Sequence, residues 1–75
     1  MADLAYHRVY SELTAQIKHG QYSDYRLPDE RTLSEQFGVS RSTIKRALGI
    51  LVNRGIIFQK QGSGTFVNPL YFKSR

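Results

Sequence analysis

Apolar side chains recur three and four residues apart near the start of the chain. Tyr6, Val9, Tyr10, Leu13 and Ile17 share one face of a helix running from about Asp3 to His19, which Gly20 stops. The period is then lost, and Leu27, ahead of Pro28, is held extended because the residue before a proline disfavours the α region. Asp29 is suited to N-capping, and Leu33 and Phe37 lie on one face, so a short second helix is expected over 30–37. Gly38-Val39 makes a tight turn and Ser40 supplies the next cap. Ile44, Ala47, Leu48, Leu51 and Val52 then follow the spacing of a third helix, from about Arg41 to Arg54, which Gly55 ends. Beyond it the preference turns to β. Ile56 to Lys60 and Thr65-Phe66-Val67 face each other across Gln61-Gly62-Ser63-Gly64, a hairpin with a glycine-rich tip. Asn68-Pro69 ends the second strand.

This order describes an α+β fold of three helices followed by a two-stranded hairpin, to which residues near 26–27 can add a third strand. The stripes assign Tyr6 and Tyr10 to the core side of the first helix and point Phe37 and Phe66 inward. One domain is expected over residues 1–68, with 69–75 opening a linker. At 75 residues and 8.6 kDa the chain holds one small core, not two. No cysteine is present, so neither a disulfide framework nor a thiolate metal site can brace it, and a cytoplasmic setting fits. No apolar run exceeds three residues, as in Ile56-Ile57-Phe58, far short of the roughly 18–20 a membrane span requires, and a signal peptide's apolar stretch is missing at the start.

Charge adds a polarity that the apolar pattern does not show. The net charge is +5, but residues 1–35 carry four cations against six carboxylates. Residues 36–75 carry Arg41, Lys45, Arg46, Arg54, Lys60, Lys73 and Arg75 with no carboxylate at all. A one-sided cationic half suits a polyanion, because each neutralised phosphate releases condensed counterions.

Two short helices joined by a glycine turn, the second opening on a serine cap, have the spacing of a helix-turn-helix. Opposite the apolar stripe of the third helix stand Arg41, Ser42, Lys45 and Arg46, concentrated in its first two turns, the part that would enter a major groove. Arginine and lysine donate to guanine O6 and N7, and hydroxyls reach phosphates or base edges. Arg31, in the first turn of the second helix, would meet the flanking backbone or the groove edge, and Lys60 the backbone beside the hairpin. A solvated amphipathic helix that happens to be basic is the plain alternative, but such faces usually mix signs for i,i+4 pairing, and here no acid is available.

The other chemistry is sparse. The loop Gln61 to Gly64 is not a nucleotide cradle, since a strand rather than a helix follows it; its glycines instead let backbone approach a neighbouring molecule, as a wing does in a minor groove. His7 and His19 are too far apart to share a metal, and Asp29 and Glu30 sit where a helix start favours acid. Nucleophile, base and metal cluster are all lacking, so no enzyme and no cofactor are expected.

The run Leu27-Pro28-Asp29-Glu30-Arg31-Thr32-Leu33, continued by Val39-Ser40-Arg41-Ser42-Thr43, Leu51-Val52-Asn53-Arg54-Gly55 and Gln61-Gly62-Ser63-Gly64-Thr65-Phe66-Val67, closely resembles the DNA-binding domain of GntR-family bacterial transcription regulators. The resemblance extends from the first helical stripe to Val67. It implies a winged helix-turn-helix that binds double-stranded DNA as the operator-reading part of a longer regulator, more often a repressor. It further implies homodimers on an inverted-repeat operator and a small-molecule effector bound by a separate C-terminal domain. Position by position, it implies a groove or phosphate contact at Arg31, DNA contacts at Ser40, Arg41, Ser42 and Thr43 with Arg41 as guanine reader, and a minor-groove approach at Gly62, with Gln61 beside it in the wing where the family often has a basic residue. Lys45 stands where arginine is frequent, and a compact ammonium lacks the two-pronged contact, which leaves it a phosphate. Two other uses of the same fold stay open from the sequence: docking a protein, or binding RNA.

Overall fold

The computed structural model describes residues 4–22 and 24–73. Its elements, in chain order, are α1 (Leu4–Lys18), α2 (Glu30–Phe37), α3 (Arg41–Asn53), β1 (Ile57–Lys60), β2 (Gly64–Val67) and α4 (Pro69–Lys73). The three helices and the hairpin stand where the apolar periods put them, to within a residue or two at their ends.

The stripes become the core. Val9, Leu13 and Ile17 of α1, Leu33 of α2, and Ile44, Ala47, Leu48 and Leu51 of α3 are buried together with Leu27, Ile56, Ile57 and Val67. α3 is the central element, packed by α1, α2 and β1. Tyr6, Tyr10 and Phe37 are half-buried against this cluster. Val52 departs from expectation: it falls at the edge of the stripe and is 36% exposed.

Caps fix where α2 and α3 begin. Asp29 is extended and its carboxylate accepts from Thr32 N at 2.8 Å, while Ser40 Oγ accepts from Thr43 N at 3.2 Å. Between the helices, Gly38 takes the left-handed conformation with φ 67°, and its N–H donates to Ser34 O, which turns the chain sharply into Ser40. Arg8 Nη2 donates to Phe37 O at 3.0 Å and ties the end of α2 to α1.

β1 and β2 are antiparallel, pairing Ile57 with Val67, Phe58 with Phe66, Gln59 with Thr65 and Lys60 with Gly64. The third strand exists as a single bridge between Arg26 and Phe66, flanked by Leu27 N to Thr65 O at 3.0 Å and Val67 N to Tyr25 O at 2.9 Å. Ile57 and Val67 are buried, so alternation turns Phe58 and Phe66 to the opposite face. There the two rings stack 5.7 Å apart. Phe66 was expected to point inward; it is half-buried, because its register partner is Phe58 rather than the core. Asn68 closes the base of the hairpin on the end of α3, with N to Ile56 O at 2.9 Å and Nδ2 to Gly55 O at 3.0 Å. The segment after it, read from the sequence as the opening of a linker, is helical over Pro69–Lys73, and Asn68 Oδ1 accepts from Leu70 N.

Candidate nucleic-acid interface

Three elements converge on one open side of the molecule. A cleft of about 550 Å³ lies between the starts of α2 and α3 and the hairpin, lined by Arg26 to Arg31, Arg41, Gly64 and Thr65. The caps place its charges: because Ser40 starts α3, Arg41 is the first helical residue and stands exposed at the cleft's edge.

Along α3, the residues expected to contact a ligand divide in the structure. Arg41, Ser42 and Lys45 are exposed, and Thr43 is half-buried. Among the described residues neither Arg41 nor Lys45 forms an ion pair. The hydroxyls are engaged locally, Ser40 Oγ lying 3.1 Å from Ser42 Oγ and 3.0 Å from Thr43 Oγ1, so they order the first turn as a unit. Arg46 lies elsewhere: its guanidinium sits 4.6 Å above the Tyr6 ring, on the side of α3 shared with α1. The sequence grouped it with Arg41 and Lys45 because all are cations on the solvated arc, and only packing showed that a tyrosine from α1 meets it.

On α2, Arg31 is largely exposed and its Nε lies 3.6 Å from Glu35, an i,i+4 pair worth little at that exposure. Asp29 is held below the usual carboxylate range, first by the Thr32 N–H and then by its hydroxyl, with Arg31 and Arg41 adding smaller Coulombic contributions. It is therefore a charged cap. In the hairpin, Lys60 is exposed at the end of β1, and Gln61, Gly62 and Ser63 form the tip, closed by Ser63 N donating to Lys60 O at 2.9 Å.

Sequence reasoning missed Arg26. It was counted with the acid-balanced half, yet the bridge to Phe66 brings it onto the hairpin and into the cleft beside Arg31 and Arg41. Its only advance signal was a position beside Leu27-Pro28, where an extended chain can join a sheet. No group of three or more His, Cys, Asp or Glu residues able to hold a metal occurs among the described residues.

Comparison with known proteins matches the description "Bacterial regulatory proteins, gntR family" to residues 5–67. The chain belongs to the GntR family. Its fold is the winged helix-turn-helix, with α2 and α3 as the helix pair and β1–β2 as the wing. The chain is similar to the HTH-type transcriptional repressor NagR of Bacillus subtilis (strain 168), 45% identical over 64 residues, which is 84% of this chain and 26% of NagR. It also resembles the histidine utilization repressor of Klebsiella aerogenes, 41% identical over 63 residues, 83% of this chain and 26% of the relative. Among solved structures, the AraR DNA-binding domain in complex with operator ORR3 superposes with a TM-score of 0.79 at 44% identity, covering 84% of this chain and 77% of that one. The chain thus spans about a quarter of the length of such full-length relatives. A GntR-family domain of this kind is a regulator's part and not an enzyme.

Proposed function

We propose that this GntR-family chain reads double-stranded DNA in a sequence-specific way, as the operator-recognition domain of a metabolite-responsive repressor. The observation that carries this reading is the acid-free start of α3, where Arg41 and Lys45 project with no ion-pair partner among the described residues, beside an open wing. The AraR domain's structure with operator ORR3, at 44% identity, supports it. α3 lies in the major groove with Arg41 on a guanine edge, because a guanidinium can donate to O6 and N7 together. Lys45, a point charge, takes a phosphate. Ser42 and Thr43 border the groove, and Ser40 holds the first turn in shape. The wing tip, Gln61 and Gly62, enters the adjacent minor groove, and Arg31 and Lys60 rest on the backbone. Arg46 serves binding through its place on Tyr6 or through the backbone's field, not through a base edge.

The finer parts of the proposal concern the whole protein. It acts in the cytoplasm as a homodimer on an inverted-repeat operator, and a separate domain binds the small-molecule effector. No described helix is long and apolar enough to cross a membrane. Selection of bound duplexes from a random pool tests the reading directly. An enriched inverted repeat is the expected result; retention of all sequences alike, or of duplex RNA over DNA, would overturn it, because an A-form major groove does not admit α3.

A further inference from the structure

Arg26 lines the cleft but is given no DNA contact in the reading above. It stands opposite Phe66 in the bridge, and bridged residues share a sheet face, so Arg26, Phe66 and Phe58 form one row across the three strands. Its guanidinium carbon lies 5.7 Å from the Phe66 ring centroid, within cation–π range. From there it reaches the next row, where Gly64 pairs with Lys60. A Cβ added to Gly64 would come within 3.3 Å of Arg26 Nη2 and crowd the guanidinium, and the φ of 122° keeps this position glycine. The guanidinium lies where residue 64 has no side chain.

That location joins the wing to the cleft. Arg26 lines the same cleft as Arg31 of α2 and Arg41 of α3. With α3 in a major groove and the wing tip in the adjacent minor groove, the strand of sugar-phosphate between the two grooves must cross the gap between α3 and the wing. Asp29 and Glu30 also line this gap, but the Asp29 carboxylate is engaged locally as the cap to Thr32 N, and three guanidiniums outnumber two carboxylates. Arg26 is exposed and, among the described residues, forms no ion pair.

We propose that Arg26 is a phosphate contact, with Phe66 and the bare Gly64 holding its guanidinium toward the DNA strand that passes between α3 and the wing. The inference rests on the DNA reading above and adds a residue to it. A phosphate contact acts on all sequences alike and through counterion release, whereas a residue that only props the wing does not change the number of ions released. The discriminating variants are therefore Arg26→Met, which keeps an apolar stem over Phe66 without the charge, and Arg26→Lys, which keeps the charge.

Binding of the 75-residue chain to a pool-selected duplex and to a mixed-sequence duplex, each of about two helical turns, is measured against salt concentration, with thermal unfolding of each variant alongside. Arg26→Met is expected to weaken both duplexes equally, on the order of tenfold at about 0.1 M salt, and to lower the magnitude of the salt slope by about 1. Arg26→Lys is expected to retain the slope. A slope unchanged in Arg26→Met, while Arg41→Ala still weakens the selected duplex, would overturn the role of Arg26 and leave the DNA reading standing. Failure of the unmodified chain to bind either duplex would remove both.

Discussion

Arg41 and Lys45 differ in what one side chain can do at a groove floor. Replacing Arg41 with Ala removes a planar donor pair and should cost roughly 1–3 kcal/mol on a selected duplex, with discrimination lost at one base position. Titration of single-base variants of that duplex checks it; an equal loss on random DNA would mean that Arg41 reads no base. Asp29 makes a pH prediction. The Thr32 N–H lowers its pKa in the folded chain, so its contribution is present above the ordinary carboxylate range and is lost as pH falls through the folded value, below about pH 4. Asp29→Asn caps without titrating. The stability difference between the native chain and this variant, followed by thermal unfolding, should therefore shrink in acid. Tyr25 is a third case: at φ 61° it occupies the left-handed region and is half-exposed. Relief of about 1–2 kcal/mol of strain in Tyr25→Gly, set against glycine's extra unfolded-state entropy of about 0.5–1 kcal/mol, should raise Tm by a few degrees. The caps at Asp29 and Ser40 were legible because capping is local chemistry. The strain at Tyr25 was not, because it arises where Val67 N–H bonds the Tyr25 carbonyl, a contact 42 residues away in sequence.

Among the elements, α3 carries both the core and the interface. Leu51, in its last turn, is fully buried in the core, and Leu51→Ala should cost about 2–5 kcal/mol, measured by denaturant unfolding. In a domain of this size that is much of the total stability, so loss of DNA binding by this variant would report unfolding and not a lost contact. α1 and α3 were readable because a one-sided helix repeats its apolar residues at fixed spacing. The exposure of Val52 was not, since a residue at the stripe's edge is covered or left open according to what packs beside it. In the hairpin the strands were readable from β-branched and aromatic runs, but four-residue strands barely specify a face. Register decided that Phe66 stacks on Phe58. α4 is five residues long, too short for a period to emerge.

At the scale of the molecule, charge is the determining quantity. If Arg26, Arg31, Lys45 and Lys60 each neutralise one phosphate, the logarithm of affinity should fall with the logarithm of salt at a slope of roughly −3 to −4 per domain. A slope near zero on any duplex would contradict the proposed interface. The asymmetry behind it was visible in the chain, whose last 40 residues hold no carboxylate. The division of labour among its cations was not: Arg46 went to Tyr6, Arg54 to Tyr10 at 5.4 Å, and Arg26 crossed from the acid-balanced half into the cleft.

The sequence by itself determined α1 to α3, the hairpin, the two caps and the cationic sign of the surface opening at Ser40, because each depends on neighbours within a few positions or on a sum over residues. Tertiary structure decided which cations share a space. Arg26, Arg31 and Arg41 come from three separate stretches of chain, and what brings them to one cleft is the packing of α3 against α2 and the single bridge that lays residue 26 on the wing. Local spacing carries no information about such a meeting, since the sheet pairing that produces it joins residues 40 apart.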